Sequence, residues 1–175
     1  MRIFKIRAIL DVLDDVFRDI EIKEDNTLED LHNVINQSFG FDGTEMASFY
    51  LSDEDWNQGE EIVLFDVSEG QTNSRLMNET KLSDVLSKEQ TKLIYVYDFL
   101  SMWTFYVELG DIANPVETTD YPNLLFVQGQ LPDSPPDKQF EAEKLDDFDD
   151  EFRDEFDDDE NFENLDDFDF DENWN

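Results

Sequence analysis

The chain has no cysteine in 175 residues, which removes disulfides, thiolate zinc sites and cysteine nucleophiles together. That usage suits a reducing compartment, and the expected location is the cytoplasm. Histidine occurs once, at His32, and Lys and Arg together number 12 against 47 acids, for a formal net charge of −35. Binding a polyphosphate requires clusters of Lys and Arg that displace its counterions. The one basic grouping, Arg2, Lys5 and Arg7, is small and strand-like, so no direct nucleic-acid partner is expected. A basic protein surface, a metal cation, or no partner at all fits the sign better. No apolar run approaches the ~18 residues of a membrane span, and the opening residues lack the apolar block of a signal peptide. The expectation is a soluble, intracellular chain without a membrane partner.

What the chain has in excess lies at its end. Residues 146–175 carry seventeen Asp and Glu against one Arg, with Phe148, Phe152, Phe156, Phe162, Phe168, Phe170 and Trp174 spaced through them. No packed core uses such a segment, so it reads as a disordered, solvated tail able to interact. The organisation expected is one folded domain over residues 1–130, a Pro-containing linker over 131–145 and the acidic, aromatic tail over 146–175. The residues ahead of the tail suffice for one domain with a sizeable core.

Within the domain, Phe4, Ile6, Ala8 and Leu10 alternate with Arg and Lys as a strand does. Asp14 and Asp15 mark a turn, and Val16 to Lys23 returns as the second arm of an antiparallel hairpin. A helix follows: Asn26 or Thr27 caps it, Glu29 or Asp30 completes a capping box, Leu28, Leu31, Ile35 and Phe39 form its buried stripe, and Gly40 stops it. Strands are expected at Ala47 to Ser52 and Ile62 to Asp66 around the polar turn Asp53 to Glu61, then a mobile polar loop from Val67 to Thr80. A short helix at Leu82 to Leu86 precedes two β-rich runs, Lys92 to Phe99 and Met102 to Leu109, joined by Leu100 and Ser101. Leu124 to Val127 adds an edge strand. The fold class expected is α+β: a β-grasp-like, ubiquitin-like mixed sheet with one main helix. The stretch Lys81 to Tyr97 resembles ubiquitin, whose last strand also follows a Leu-Ser-Asp turn. Topology of this kind gives no function.

Several separated blocks resemble the plasmid ORF-three-like proteins, a family also described as insertion-element passengers and sometimes labelled resolvase-related. Leu31, His32, Ile35, Phe39, Gly40 and Phe41 resemble the family's Leu-His-x-x-Ile helix ending in Phe-Gly-aromatic, and Phe49 resembles its next strand. Leu82, Ser83, Val85 and Leu86 resemble its short helix. Tyr97, Asp98, Phe99 and Trp103 match a signature whose fuller form is Tyr-Asp-Phe-Gly-Asp-x-Trp-x-His. Leu100, Ser101 and Phe105 stand where that signature has Gly, Asp and His. Of a later Pro-Pro-Glu-Asp segment only Pro135, Pro136 and Asp137 remain. The resemblance, over about residues 1 to 109, implies a diverged subgroup that kept the scaffold and added the tail. It supplies no reaction.

Candidate chemistry is sparse. His32 could act as a general base near neutral pH, but nothing in the sequence forms a catalytic constellation with it, and a structural role is favoured. Asp98, flanked by Tyr97 and Phe99, could have a raised pKa through desolvation. Capping its own turn is the favoured reading, and with Ser101 in place of the second family acid no carboxylate pair is left. Asp53, Glu54 and Asp55 lack the spacing of an EF-hand, and Asp157 to Glu160 would hold ions weakly. No metal site and no cofactor are expected. In the tail, alternating acids and rings are the pattern of segments kept open by charge that dock by their aromatics. The expected function is therefore a non-catalytic protein-interaction module presenting the tail aromatics to a basic protein surface. A nucleic-acid mimic acting on a DNA-binding protein of a mobile element is the second expectation. A degenerate enzyme on the family scaffold is the third, requiring His32, Asp98 and Trp103 to converge on a cavity.

Overall fold

The computed structural model describes residues 1–71 and 74–135. The tail and its aromatic residues, with most of the linker, lie outside the described residues. The alternating N-terminal segment forms β1 (Ile3–Leu10), which pairs antiparallel with β2 (Phe17–Lys23) in the register Ile6↔Ile20. Helix α1 (Leu28–Phe39) begins at Thr27, whose hydroxyl accepts from the Asp30 amide at 3.1 Å while the Asp30 carboxylate accepts from the Thr27 amide at 2.9 Å. This is the expected capping box, satisfying two otherwise unpaired amides. Gly40, in the left-handed conformation at φ 87°, closes the helix by donating its amide to Asn36. The buried face is wider than the expected stripe, because His32 and Asn36 join Leu28, Leu31, Ile35 and Phe39.

The remaining strands are β3 (Ala47–Ser52), β4 (Gln58–Val63), β5 (Arg75–Leu76), β6 (Lys92–Tyr97), β7 (Trp103–Ala113) and β8 (Asn123–Gln128), with a short helix α2 (Leu82–Val85) ahead of β6. One mixed eight-stranded sheet results, in the order β5-β4-β3-β6-β7-β1-β2-β8. Every neighbouring pair is antiparallel except β4 with β5. An α+β mixed sheet with one main helix is thus the architecture. Its core combines α1 with the inward residues of the sheet, and Trp103, Phe105, Val107 and Leu109 are buried on one face of β7 as their period-two spacing predicts. Phe105 is fully buried, its ring 4.8 Å from Phe39 and 5.6 Å from Tyr95.

Three sequence expectations are corrected. Strand β4 starts at Gln58, not Ile62, because the Asp53 carboxylate accepts from the amides of Asp55 and Asn57 at 2.9 Å and closes the turn by Asn57. The strand also stops at Val63, since Asp66 starts a new turn by accepting from the Ser68 amide. Within the stretch expected as a mobile loop, Arg75 and Leu76 pair with Ile62 and Val63, and Met77 is buried in the core. The β6–β7 connection spans five residues, Asp98 to Met102, rather than two.

A buried arginine ties the elements together. Arg18 on β2 lies among core residues and donates to the carbonyls of Ser38 and Phe17 at 2.9 Å and of Gln128 and Gly129 at 3.0 Å. Its guanidinium sits 4.3 Å over the Phe39 ring. Burial lowers its pKa, yet an arginine remains charged in any protein interior. That charge favours the last turn of α1, where unpaired carbonyls point out of the helix.

Candidate functional site

The signature residues gather where α1 ends and β6 turns into β7. Asp98 has φ 63° and Met102 φ 60°, a left-handed conformation that Asp tolerates better than most residues. Asp98 Oδ1 accepts from the amides of Leu100 at 3.2 Å and Ser101 at 3.5 Å, and its carbonyl accepts from Met102. The side chain therefore closes its own loop without the Gly that a tight hairpin usually takes. Asp98→Asn keeps an acceptor and a residue tolerant of this conformation, so thermal unfolding is expected to shift by less than about 1 kcal/mol. Asp98→Ala is expected to cost about 1 to 2 kcal/mol through the lost turn contacts. Equal losses in the two variants would contradict this role.

Beside the loop, Tyr97 donates from its hydroxyl to Asp42 at 3.0 Å and accepts from the Gly43 amide at 3.1 Å. Phe41 stacks on the Tyr97 ring at 4.5 Å and lies 5.5 Å from Trp103. Here the aromatic residues of the signature hold the segment after α1 against the hairpin.

His32 points inward. Its Nδ1 lies 2.6 Å from the Tyr95 hydroxyl, and the Asn36 side-chain amide donates to that hydroxyl at 2.9 Å and to the His32 carbonyl at 2.6 Å. Burial pushes the His32 pKa down to about 4 and raises that of Tyr95. The neutral ring then accepts at Nδ1 from the tyrosine hydroxyl, and Asn36 Oδ1 is left buried without a hydrogen-bond partner among the described residues. Because the unfolded chain binds the proton with a pKa near 6.5, folding stability is complete above that value. It falls as pH drops from about 6.5 to about 4. A shift of this size corresponds to roughly 3 kcal/mol, and His32→Gln is expected to flatten stability over that interval. An unchanged slope in the variant would mean that His32 is not the titrating group.

Asp98, Trp103 and His32 are thus each committed to packing or to a turn. The cleft beside Lys5 and Arg7 and the one beside Val12 and Gln130 are lined by none of them.

The sheet face opposite α1 carries most of the paired charge. Lys92, Glu108, Arg7 and Asp19 stand side by side on β6, β7, β1 and β2 in direct cross-strand register, a row of alternating sign. Lys92 donates to Glu108 at 3.0 Å. Arg7 makes a two-pronged pair with Asp19, Nε to Oδ1 at 2.7 Å and Nη2 to Oδ2 at 2.9 Å, with its guanidinium 4.0 Å over the Phe17 ring. In the next row Lys5 lies a looser 3.8 Å from Glu21, which accepts from Asn123 on β8 at 2.9 Å. A cleft of about 350 Å³ opens here, its wall including Lys5, Arg7, Asp19, Glu108 and Leu125. The sequence displayed Arg2, Lys5 and Arg7 as a basic grouping. Their carboxylate partners on other strands carry no local signal, so the row was not legible.

The sequence model of a family described as plasmid pRiA4b ORF-3-like protein matches residues 2–174, reaching well past residue 109 where the blocks quoted from the sequence end. No curated protein matches the chain. Among solved structures, the crystal structure of a protein of unknown function from Methanosarcina mazei Go1 is similar in fold. Its TM-score is 0.61 at 20% identity, over 72% of this chain and 68% of that one.

Proposed function

The chain belongs to the plasmid pRiA4b ORF-3-like family, and we propose that it is a non-catalytic interaction protein of the cytoplasm. In this reading a β-grasp-like domain presents an acidic, aromatic tail to a basic protein surface. The observation that carries the reading is the composition of residues 146–175, seventeen acids and one base interleaved with Phe148, Phe152, Phe156, Phe162, Phe168, Phe170 and Trp174. Carboxylates at that density steer a basic partner into encounter, and the rings supply the anchoring contacts. Support also comes from the two polar candidates of the domain, since His32 is neutral and hydrogen-bonded to Tyr95 while Asp98 closes its own loop.

The test is capture from native lysate with the full chain beside a chain ending at Lys144. Partners lost with the tail support the reading, and identical capture by both chains overturns it. For a captured partner, affinity is expected to fall as the screening length shortens from about 10 Å at 0.1 M salt to about 3 Å at 1 M. Replacing Phe148, Phe152 and Phe156 by Ser preserves every charge and is expected to weaken binding at least tenfold. Undiminished affinity in that variant would leave only polyanion attraction.

A further inference from the structure

We propose that the cleft on the sheet face opposite α1 binds a free α-amino acid with a large apolar side chain. Two β-bulges at the same level of the sheet shape it. On one side β7 gains Gly110 where its register with β1 shifts between Lys5 and Ile6; on the other, β8 gains Leu125 where its register with β2 shifts between Asp19 and Ile20. Ile6 and Ile20 are themselves directly paired, so the two bulges flank one row. Bulges re-aim side chains and bend the strand that carries them, and a matched pair hollows the face between them.

Gly110 is informative because the backbone does not demand it. It lies outside the left-handed region, and a Cβ there would meet only the Lys5 carbonyl at an ordinary 3.7 Å. The missing side chain leaves the cleft open. Its volume of about 350 Å³ lies at the small end of ligand sites.

The groups left with bonding capacity define the ligand. The Lys5 ammonium makes no hydrogen bond among the described residues, its nearest carboxylate being Glu21 at 3.8 Å. Arg7 spends Nε and Nη2 on Asp19, leaving Nη1. Glu108 accepts from Lys92 through Oε2, leaving Oε1. Two cationic donors receive a carboxylate, the free Glu108 oxygen receives an ammonium, and the half-exposed Leu125 gives the side chain an apolar wall. A zwitterion matches this set, whereas a simple anion leaves Glu108 Oε1 unused.

Amide shifts of the isotope-labelled full chain, titrated with L-phenylalanine, test the assignment. Saturable shifts centred on Lys5, Arg7, Gly110 and Leu125 are expected. Binding should weaken at least tenfold for 2-phenylethylamine, which lacks the carboxylate, and measurably for 3-phenylpropionate, which lacks the ammonium. Gly110→Leu, which fills the cleft, and Lys5→Gln are each expected to weaken L-phenylalanine at least tenfold. Lys5→Gln and the two analogues remain decisive if Gly110→Leu disturbs folding. Absence of saturable shifts at 10 mM, equal binding of 2-phenylethylamine, or indifference to Lys5→Gln overturns the proposal.

Discussion

Arg18→Met is expected to cost about 3 kcal/mol or more, the largest loss for any polar residue of the domain. Hydrogen bonds to a charged group contribute about 1.5 to 3 kcal/mol, and a buried acceptor left without a donor costs about 1 to 3 kcal/mol. Arg18 serves four carbonyls at once: Ser38 in the last turn of α1, Phe17 on β2, and Gln128 and Gly129 at the end of β8. Methionine fills much of the same space over Phe39 and removes every donor. Arg18→Lys is expected to recover little, because a single ammonium cannot reproduce the planar fork. Urea unfolding checks the magnitude, and hydrogen exchange checks the location: protection should fall first in β8. A midpoint change equivalent to less than 1 kcal/mol would show that water readily replaces the guanidinium.

Phe105→Ala is expected to cost about 3 to 5 kcal/mol, the usual range for truncating a large buried aromatic. The ring is fully buried and packs against Phe39, Tyr95 and Phe41, so it joins the helix, the sheet and the segment after the helix in one contact set. Trp103→Ala belongs to the same class. Trp103 lies at the start of the strand with Phe41 as its one ring partner among the described residues and a slight exposure, so its loss should fall toward the lower end of that range. Phe105→Leu should recover most of the loss. If Trp103→Ala proved clearly more damaging than Phe105→Ala, the assignment of the core's centre to Phe105 would be wrong.

Much of this domain was legible in its sequence because its local signals agree with its packing. The alternation of β1 and β2, the capping box at Thr27 and Asp30, the stop at Gly40 and the inward face of β7 are each written in neighbouring residues. Strand β4 was misplaced because the run Ile62 to Asp66 looks more β-like than Gln58 to Glu61, yet the turn chemistry of Asp53 decides where pairing starts. Arg18 was missed because an arginine between Phe17 and Ile20 reads as an outward residue until its carbonyl partners, distant in sequence, are known. The cleft was hidden for the same reason: Gly110 and Leu125 have meaning only in relation to the strands they bulge against. Asp98 could be read because its partners are the next residues in the chain.

The alternating row of Lys92, Glu108, Arg7 and Asp19 bears on how the chain finds its alignment. Sliding β2 along β1 by two residues keeps the apolar sides facing inward, so the hydrophobic core alone discriminates weakly against it. The exposed side does discriminate. In one direction the slip sets Lys5 opposite Lys23 and Asp19 opposite Ile9, keeping one opposite pair as Arg7 meets Glu21; in the other it sets Arg7 opposite Phe17, keeping one as Lys5 meets Asp19, so either slip forfeits at least one of the two native pairs. Like charges directly opposed are unfavourable and opposite ones favourable by a few tenths to about 1 kcal/mol per pair, so the charges disfavour both offset arrangements, most strongly the one that opposes Lys5 and Lys23. Charges that add little to the depth of the native basin thus act as proofreaders of strand pairing, and strong electrolyte would relax that check while leaving the interior intact.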